Sequence, residues 1–396
     1  METSRGGTTL KGDKTKALSI VFVLFLVISI IIFPKNSLAA AKSGINLWLF
    51  TVFPALLPFF IGSEMLVQLG FVKMLGKFLE PIMRPIFNVS GNGGFAMAVG
   101  YTSGYPVGAQ IIKRLWEEKL LNTAEAERLM TFCNNSGPLF MLGVVAMGMF
   151  NSSTIGYIIM LSNYLAAITT GIIFRNYNIE NKNLKSSEYH NIRQSNPDDL
   201  IANFGEILGS AVKYSMNTMI MIGGYIITFS VLIEFLKVYG LIDAIEKVIT
   251  PIFEAIGFNK NLIAGYLSGL MEITIGSNMI SQATAPLYQK VILISSILAW
   301  GGLSTHGQVI GVINNTKINY LPYLIAKAIH SLFAALFSFV FLKFINIDNI
   351  TATEAFYQGN MKSMISIFEI SSLMFIISLL SVIFLVILIS MTNKEA

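Results

Sequence analysis

The chain has 396 residues, 54% of them hydrophobic and only 12% charged, with a formal net charge of +5. Soluble domains carry roughly a quarter charged residues, so this composition excludes a soluble globular protein and points to a chain that crosses the membrane several times. The basic surplus is scattered between apolar runs, which speaks against a nucleic-acid partner and for a role in orienting spans.

A basic tail with Arg5, Lys11, Lys14 and Lys16 precedes the first apolar run, 17–33, which is read as a membrane helix. A cleaved signal peptide ending near Leu38-Ala-Ala-Ala41 is the alternative. Runs of spanning length follow at 44–69, 129–150, 154–174, 211–236, 291–313, 321–345 and 365–391, which with the first makes eight predicted spans. Two further segments, 93–112 and 262–285, are apolar but interrupted by Gly, Pro and polar side chains, and they read as re-entrant hairpins or broken helices. If both return to their side of entry, Lys73, Lys77, Arg84, Lys113, Arg114, Lys119 and Arg128 share the cytoplasm. As full spans they would put Lys113, Arg114, Lys119 and Arg128 outside, against the positive-inside bias. The expected fold is therefore an all-α polytopic membrane protein of about eight spans plus two hairpins.

The chain divides into an N-terminal tail with the first helix (1–43), repeat 1 (44–174), a cytoplasmic linker (175–210), repeat 2 (211–345), and a C-terminal loop with the last helix (346–396). The linker is rich in Asn, Ser and mixed charge and cannot bury a core. Leu69-Gly70 through Glu80-Pro81-Ile82 recurs as Tyr239-Gly240 through Thr250-Pro251-Ile252, 170 residues further on. Amphipathic stretches at 71–87 and 238–258 occupy matching places and read as interfacial helices. Repeat 1 enters its leading helix from outside and repeat 2 from inside, so the repeats are inverted. Inverted repeats with paired broken segments are a recurring design of secondary transporters, with the site between them near the midplane.

The polar residues cluster at these interruptions. Segment 93–112 offers Tyr101, Thr102, Ser103, Tyr105 and Gln110, while Gly100, Gly104, Pro106 and Gly108 let the chain turn and expose amides; a packing kink is the bland alternative. Phe132-Cys-Asn-Asn-Ser-Gly-Pro-Leu139 reads as an unwound helix. Its Asn134, Asn135 and Ser136 suit a polar organic molecule or sodium, or else glue helices together. The lone cysteine, Cys133, excludes an internal disulfide and a thiolate metal site and reads as a small apolar residue.

In the second half, Gly269-Leu-Met-Glu-Ile-Thr-Ile-Gly-Ser-Asn278 carries Glu272, Thr274 and Asn278. An acid at membrane depth is costly unless paired, solvated or protonated, so Glu272 is a candidate coupling residue for a proton or cation. A structural cap, or a pair with Lys327 or His306, is the alternative. Trp300-Gly-Gly-Leu-Ser-Thr-His-Gly-Gln308 aligns with 134–138 and brings Ser304, Thr305, His306 and Gln308 to the same layer. His306 is read either as a titrating site residue or as structural. Lys327, about one turn from His330, is read as snorkelling from near the start of its span, with neutralisation of an anionic substrate as the alternative. Glu64 and Glu234 sit at matching points of the two leading helices. With no nucleophile, base and orienting group in evidence, and no metal-ligand set, enzyme activity is not expected.

Four segments, Thr102-Ser-Gly-Tyr-Pro-Val-Gly-Ala-Gln-Ile111, Ala124-Glu-Ala-Glu-Arg-Leu129, Asn134-Asn-Ser-Gly-Pro-Leu-Phe140 and Gly301-Gly-Leu-Ser-Thr-His-Gly-Gln308, resemble the YlbJ-like sporulation integral membrane proteins. The resemblance covers nearly the whole chain. These proteins belong to a wider group with a nucleoside-recognition "gate" region, which is similar to half of a concentrative nucleoside transporter and would occur twice here. The resemblance implies a protein of the mother-cell-derived outer forespore membrane that moves dipicolinic acid toward the forespore. Dipicolinate is a small planar aromatic dianion, which amides at helix ends, hydroxyls and a cation would hold, with Tyr105 or Trp300 stacked on its ring. The expected substrate-binding set is Ser103, Gly104, Tyr105, Pro106, Asn134, Asn135, Ser136, Thr274, Asn278, Ser304, His306 and Gln308, with Glu272 coupling transport to protons or sodium. No cofactor is expected; the partners are the bilayer and the anionic substrate, and a homo-oligomer is compatible with the sequence. A non-transporting membrane scaffold and a nucleoside transporter are the alternative readings.

Overall fold

The computed structural model describes residues 6–69, 71–178 and 204–344, and every regular element among them is helical. That follows from the composition: in hydrocarbon each backbone amide must find its partner within its own segment. Five helices among the described residues are long and apolar enough to cross a bilayer, namely Pro34–Leu66, Ser153–Asn176, Phe204–Val238, Leu287–Ile313 and Leu321–Phe344. The span expected at 44–69 thus begins earlier, at Pro34, a residue whose missing N–H costs nothing in a first helical turn.

In chain order the first half comprises α1 (Gly6–Ile32), α2 (Pro34–Leu47), a π-helical turn Trp48–Val52, α3 (Phe53–Gln68), α4 (Phe71–Phe87), α5 (Asn92–Ser103), α6 (Val107–Glu117), α7 (Thr123–Cys133), a π-helical stretch Phe140–Phe150 and α8 (Ser153–Ile173). The second half runs α9 (Phe204–Val238), α10 (Leu241–Ala255), α11 (Ile263–Met271), α12 (Ile273–Gln282), α13 (Leu287–Trp300), α14 (Gly302–Ile313) and α15 (Leu321–Phe344). From α3 and from α9 the order is the same: long helix, amphipathic helix, helix pair, interrupted helix, long helix. The expected linker, apart from its ends, and the expected last helix at 365–391 lie outside the described residues.

Both interrupted segments are hairpins whose arms pack on one another. In the second, Gly276 of α12 rests on Gly269 of α11 with no room for a Cβ, and Gly265 abuts Ile280 across the pair. In the first, Gly100 of α5 and Gly108 of α6 both face the Cys133 carbonyl at the end of α7. The expected spans 129–150 and 291–313 are each broken where the polar runs fall, at 134–138 and at Gly301, whose φ of +92° favours glycine.

The start of α7 is fixed by a reciprocal cap. Asn122 Oδ1 accepts from Glu125 N at 2.8 Å, and Glu125 Oε2 accepts from Asn122 N at 3.1 Å. Below it, an apolar core formed by Met83, Phe87, Val99, Ile112, Leu129 and Phe132 joins α4, the first hairpin and α7, with the Phe87 and Phe132 rings stacked at 4.3 Å. Large apolar side chains such as Val21, Ile220 and Leu332 instead face outward, as suits a molecule whose solvent is lipid.

Candidate functional site

The two hairpin tips and the two helix breaks meet at one junction. Hairpin 1 turns at Gly104, with φ +79°, and a Cβ there would lie 2.6 Å from Gly137 N, so the tip sits directly on the unwound stretch after α7. On its other side the Tyr105 hydroxyl donates to Leu298 O, 3.2 Å away in α13. Hairpin 2 turns at Glu272, between α11 and α12. Trp300 Nε1 donates to Leu270 O at 3.0 Å, and Gly302 packs against the Glu272 backbone. The backbone contacts at Gly104 and Gly302 are close because glycine carries no Cβ, and the other two are side-chain hydrogen bonds to carbonyls.

A cavity of about 630 Å³, including its mouth, opens between this junction and helices α3 and α9. Its polar wall holds Thr102, Ser103, Gly104, Tyr105, Ser136, Gly137, Glu272, Thr274, Ser304, Thr305 and Gln308. The facing wall is apolar, with Val52, Leu56, Phe59, Phe60, Ile222, Tyr225 and Ile226. Of the residues expected to bind substrate, Ser103, Gly104, Tyr105, Ser136, Thr274, Ser304 and Gln308 are therefore brought together, and Glu272 with them.

The other expected residues, Pro106, Asn134, Asn135, Asn278 and His306, are not among those that line this cavity. Asn134 Nδ2 donates to Tyr323 Oη at 3.1 Å, Asn135 Nδ2 to Phe132 O at 2.6 Å, and Asn278 Oδ1 accepts from Gln282 Nε2 at 3.2 Å. Pro106 precedes the first turn of α6. His306 points away from the cavity: its Nε2 faces Trp300 O at 3.2 Å, an atom that only accepts, so Nε2 carries the hydrogen and Nδ1 accepts from Tyr320 Oη at 2.6 Å. The Trp300 ring lies against His306, 4.3 Å between centroids, and outside the cavity wall. Glu64 and Glu234 are separate as well. Glu64 accepts from Gln68 Nε2 at 2.9 Å beside a second, smaller cleft, and Glu234 accepts from Asn36 Nδ2 at 2.9 Å.

Glu272 sits in the wall and also caps α12. Its Oε2 accepts from Ile275 N at 2.8 Å, and its Oε1 accepts from Thr274 Oγ1 at 3.1 Å, where the positive end of the helix favours a carboxylate. It pairs with neither Lys327 nor His306.

The snorkelling expected of Lys327 is corrected. The side chain is 0% exposed and turns inward behind Tyr105, because α15 packs on α8 and α13 along the face that carries Lys327 and His330. Sequence reasoning also missed the apolar wall. Nothing in 44–69 or 211–236 distinguishes Phe60 or Tyr225 from residues that face lipid. Asn163 was legible in principle as a lone amide in an apolar span; buried in α8, its Nδ2 donates to Ser295 O at 3.3 Å and its backbone carbonyl accepts from His330 Nε2 at 2.9 Å. Among the described residues no group of three or more His, Cys, Asp or Glu is placed to hold a metal ion.

Residues 49–175 and 219–316 match a family model described as Gate, nucleoside recognition. Over 330 residues the chain is 38% identical to the sporulation integral membrane protein YlbJ of Bacillus subtilis (strain 168), covering 80% of each chain. The fold is similar to that of CNTnw. An outward-facing variant superposes with a TM-score of 0.55 at 13% identity, covering 86% of this chain and 88% of the other. The inward-facing, substrate-bound state gives 0.52 at 14% identity, covering 86% and 87%.

Proposed function

The chain belongs to the gate, or nucleoside recognition, family of membrane proteins, and from that premise we propose that it is a transporter that binds a small polar anion of the dipicolinate type at the four-way junction. The observation that carries the charge preference is Lys327. Its Nζ lies 2.5 Å from the Tyr105 hydroxyl, directly behind the cavity wall, and it belongs to neither of the ion pairs among the described residues, Lys113–Glu117 and Arg114–Glu118. An unpaired ammonium in a low-dielectric surround raises the potential of the space in front of it and favours an anion there. Ser103, Ser136, Thr274 and Ser304 supply hydroxyls, the Tyr105 ring supplies a flat surface, and the apolar wall suits an aromatic ring.

The name of the Bacillus relative supports a place in sporulation, and the reading carries this to the outer forespore membrane, with transport toward the forespore. Repeats 44–174 and 211–345 are taken as inverted halves, with Glu272 as the coupling residue for a proton or sodium. That CNTnw occurs in outward-facing and inward-facing states supports alternation of the junction between the two sides. The family's description favours a second reading, a nucleoside as substrate; an uncharged nucleoside makes no use of the Lys327 charge. Equilibrium binding of radiolabelled dipicolinate to the purified protein separates the two. The anion reading expects competition by picolinate and none by uridine, and competition by uridine alone overturns it.

A further inference from the structure

We infer that the Lys327 ammonium is a tethered cation that fastens hairpin 1 to the unwound helix, at a place where a secondary transporter of this build holds a mobile coupling ion, so that binding and flux need no sodium. The inference rests on the transport reading above.

Lys327 brings its Nζ to three acceptors: Tyr105 Oη at 2.5 Å, Asn134 O at 3.2 Å and His330 Nδ1 at 3.1 Å. The protons can be assigned. Tyr105 faces Leu298 O and His330 Nε2 faces Asn163 O, and both carbonyls only accept. With the lysine charged, as the inference holds, the tyrosine donates to Leu298, His330 carries its hydrogen on Nε2, and the tyrosine oxygen and His330 Nδ1 each present a lone pair to the lysine, so that all three ammonium hydrogens are used. Nζ also stands 4.9 Å from the centre of the Tyr105 ring, within cation–π range.

The partners are of the kind that surround a bound cation. Asn134 is the C-cap of α7, so its carbonyl lies at the negative end of that helix. Two further buried amide oxygens of the cluster, Asn134 Oδ1 and Asn163 Oδ1, meet no donor, which keeps the surroundings rich in acceptors. In broken-helix transporters unwound carbonyls and helix C-termini coordinate the coupling ion. Here the positive charge arrives covalently, on a helix 222 residues from the hairpin it holds. Glu272 stands apart from this cluster, accepting from Ile275 N and Thr274 Oγ1, and on the transport reading it is left to couple a proton.

The test compares wild type, Lys327→Ala and Lys327→Met in liposomes loaded with dipicolinate, with choline, sodium or methylammonium chloride outside at constant ionic strength. Wild-type flux is expected to be equal in sodium and choline. Lys327→Ala should lose about tenfold or more, the equivalent of ~1.4 kcal/mol, and should recover several-fold in methylammonium or sodium, which enter the vacated space. Lys327→Met, which fills that space without charge, should lose as much and recover nothing. A purely structural lysine gives no cation rescue. Melting temperatures of the same variants in detergent read the inference without any flux. Lys327→Ala should melt lower in choline than in methylammonium, and wild type alike in both. Sodium-dependent wild-type flux overturns the inference, as does absence of rescue in both readouts. Absence of all wild-type flux counts against the transport reading alone, and the melting temperatures then decide the inference.

Discussion

The two hairpin tips hold equivalent places in the two halves, yet opposite charges fix them. Tip 1 carries no charge of its own and is held from behind by Lys327, reached across the chain through Tyr105. Tip 2 carries Glu272 in its turn and is held by its own second arm, through Ile275 N and Thr274. The difference teaches that a duplicated framework keeps its backbone breaks while the charge at each break is free to diverge. One wall of the cavity is backed by a lysine fixed to a long helix, and the other carries a buried acid that caps its own hairpin.

The largest expected effects come from the framework that the tips share. Gly276→Val places a side chain where α11 backbone already sits, so it should cost about 3 kcal/mol and lower the melting temperature sharply. Gly224→Ala, where nothing lies within 4 Å of the added Cβ, should stabilise by up to ~1 kcal/mol. Equal behaviour of the two would mean that hairpin 2 is not closed by glycine contact. Next comes the charge asymmetry. Tyr105→Phe removes the hydroxyl that links Lys327 to Leu298 and should cost about 2 kcal/mol, seen in melting temperature and in flux together. Glu272→Gln keeps an amide oxygen for Ile275 N, so stability should fall by less than ~1 kcal/mol, while flux loses its dependence on pH. A variant that keeps the wild-type pH profile removes Glu272 from coupling. The smallest effects belong to single hydroxyls. Ser136→Ala and Ser304→Ala should each weaken dipicolinate binding by about 1 kcal/mol, roughly fivefold; Ser304→Ala should leave melting unchanged, while Ser136→Ala, which also loses its bond to Leu298 O, should lower it slightly.

The breaks were legible in the sequence because glycine, proline and consecutive polar residues do not survive in hydrocarbon without a reason. Gly104, Asn134 to Pro138 and Glu272 fall where that rule puts them, whereas the break at Gly301 divides a run that reads as one span. Which side chain of a break faces the cavity was not legible. Once a helix unwinds it has no period, so Ser136 lines the cavity with its hydroxyl donated to Leu298 O, while its neighbours Asn134 and Asn135 turn to Tyr323 and to Phe132. Lys327 was misjudged for a related reason. Depth was read from its distance to the helix start, whereas its direction is set by the packing of α15 on α8 and α13. The apolar wall from α3 and α9 gave no signal, because residues lining a dry cavity and residues facing lipid are chosen by the same hydrophobicity.

The most direct measurement of the central claim is uptake of radiolabelled dipicolinate into liposomes carrying the purified protein. Saturable uptake above protein-free vesicles, reduced by Ser136→Ala and Ser304→Ala and lowered about tenfold or more in Lys327→Met, is the predicted result. Uptake no greater than in protein-free vesicles, from protein that melts cooperatively, would contradict it.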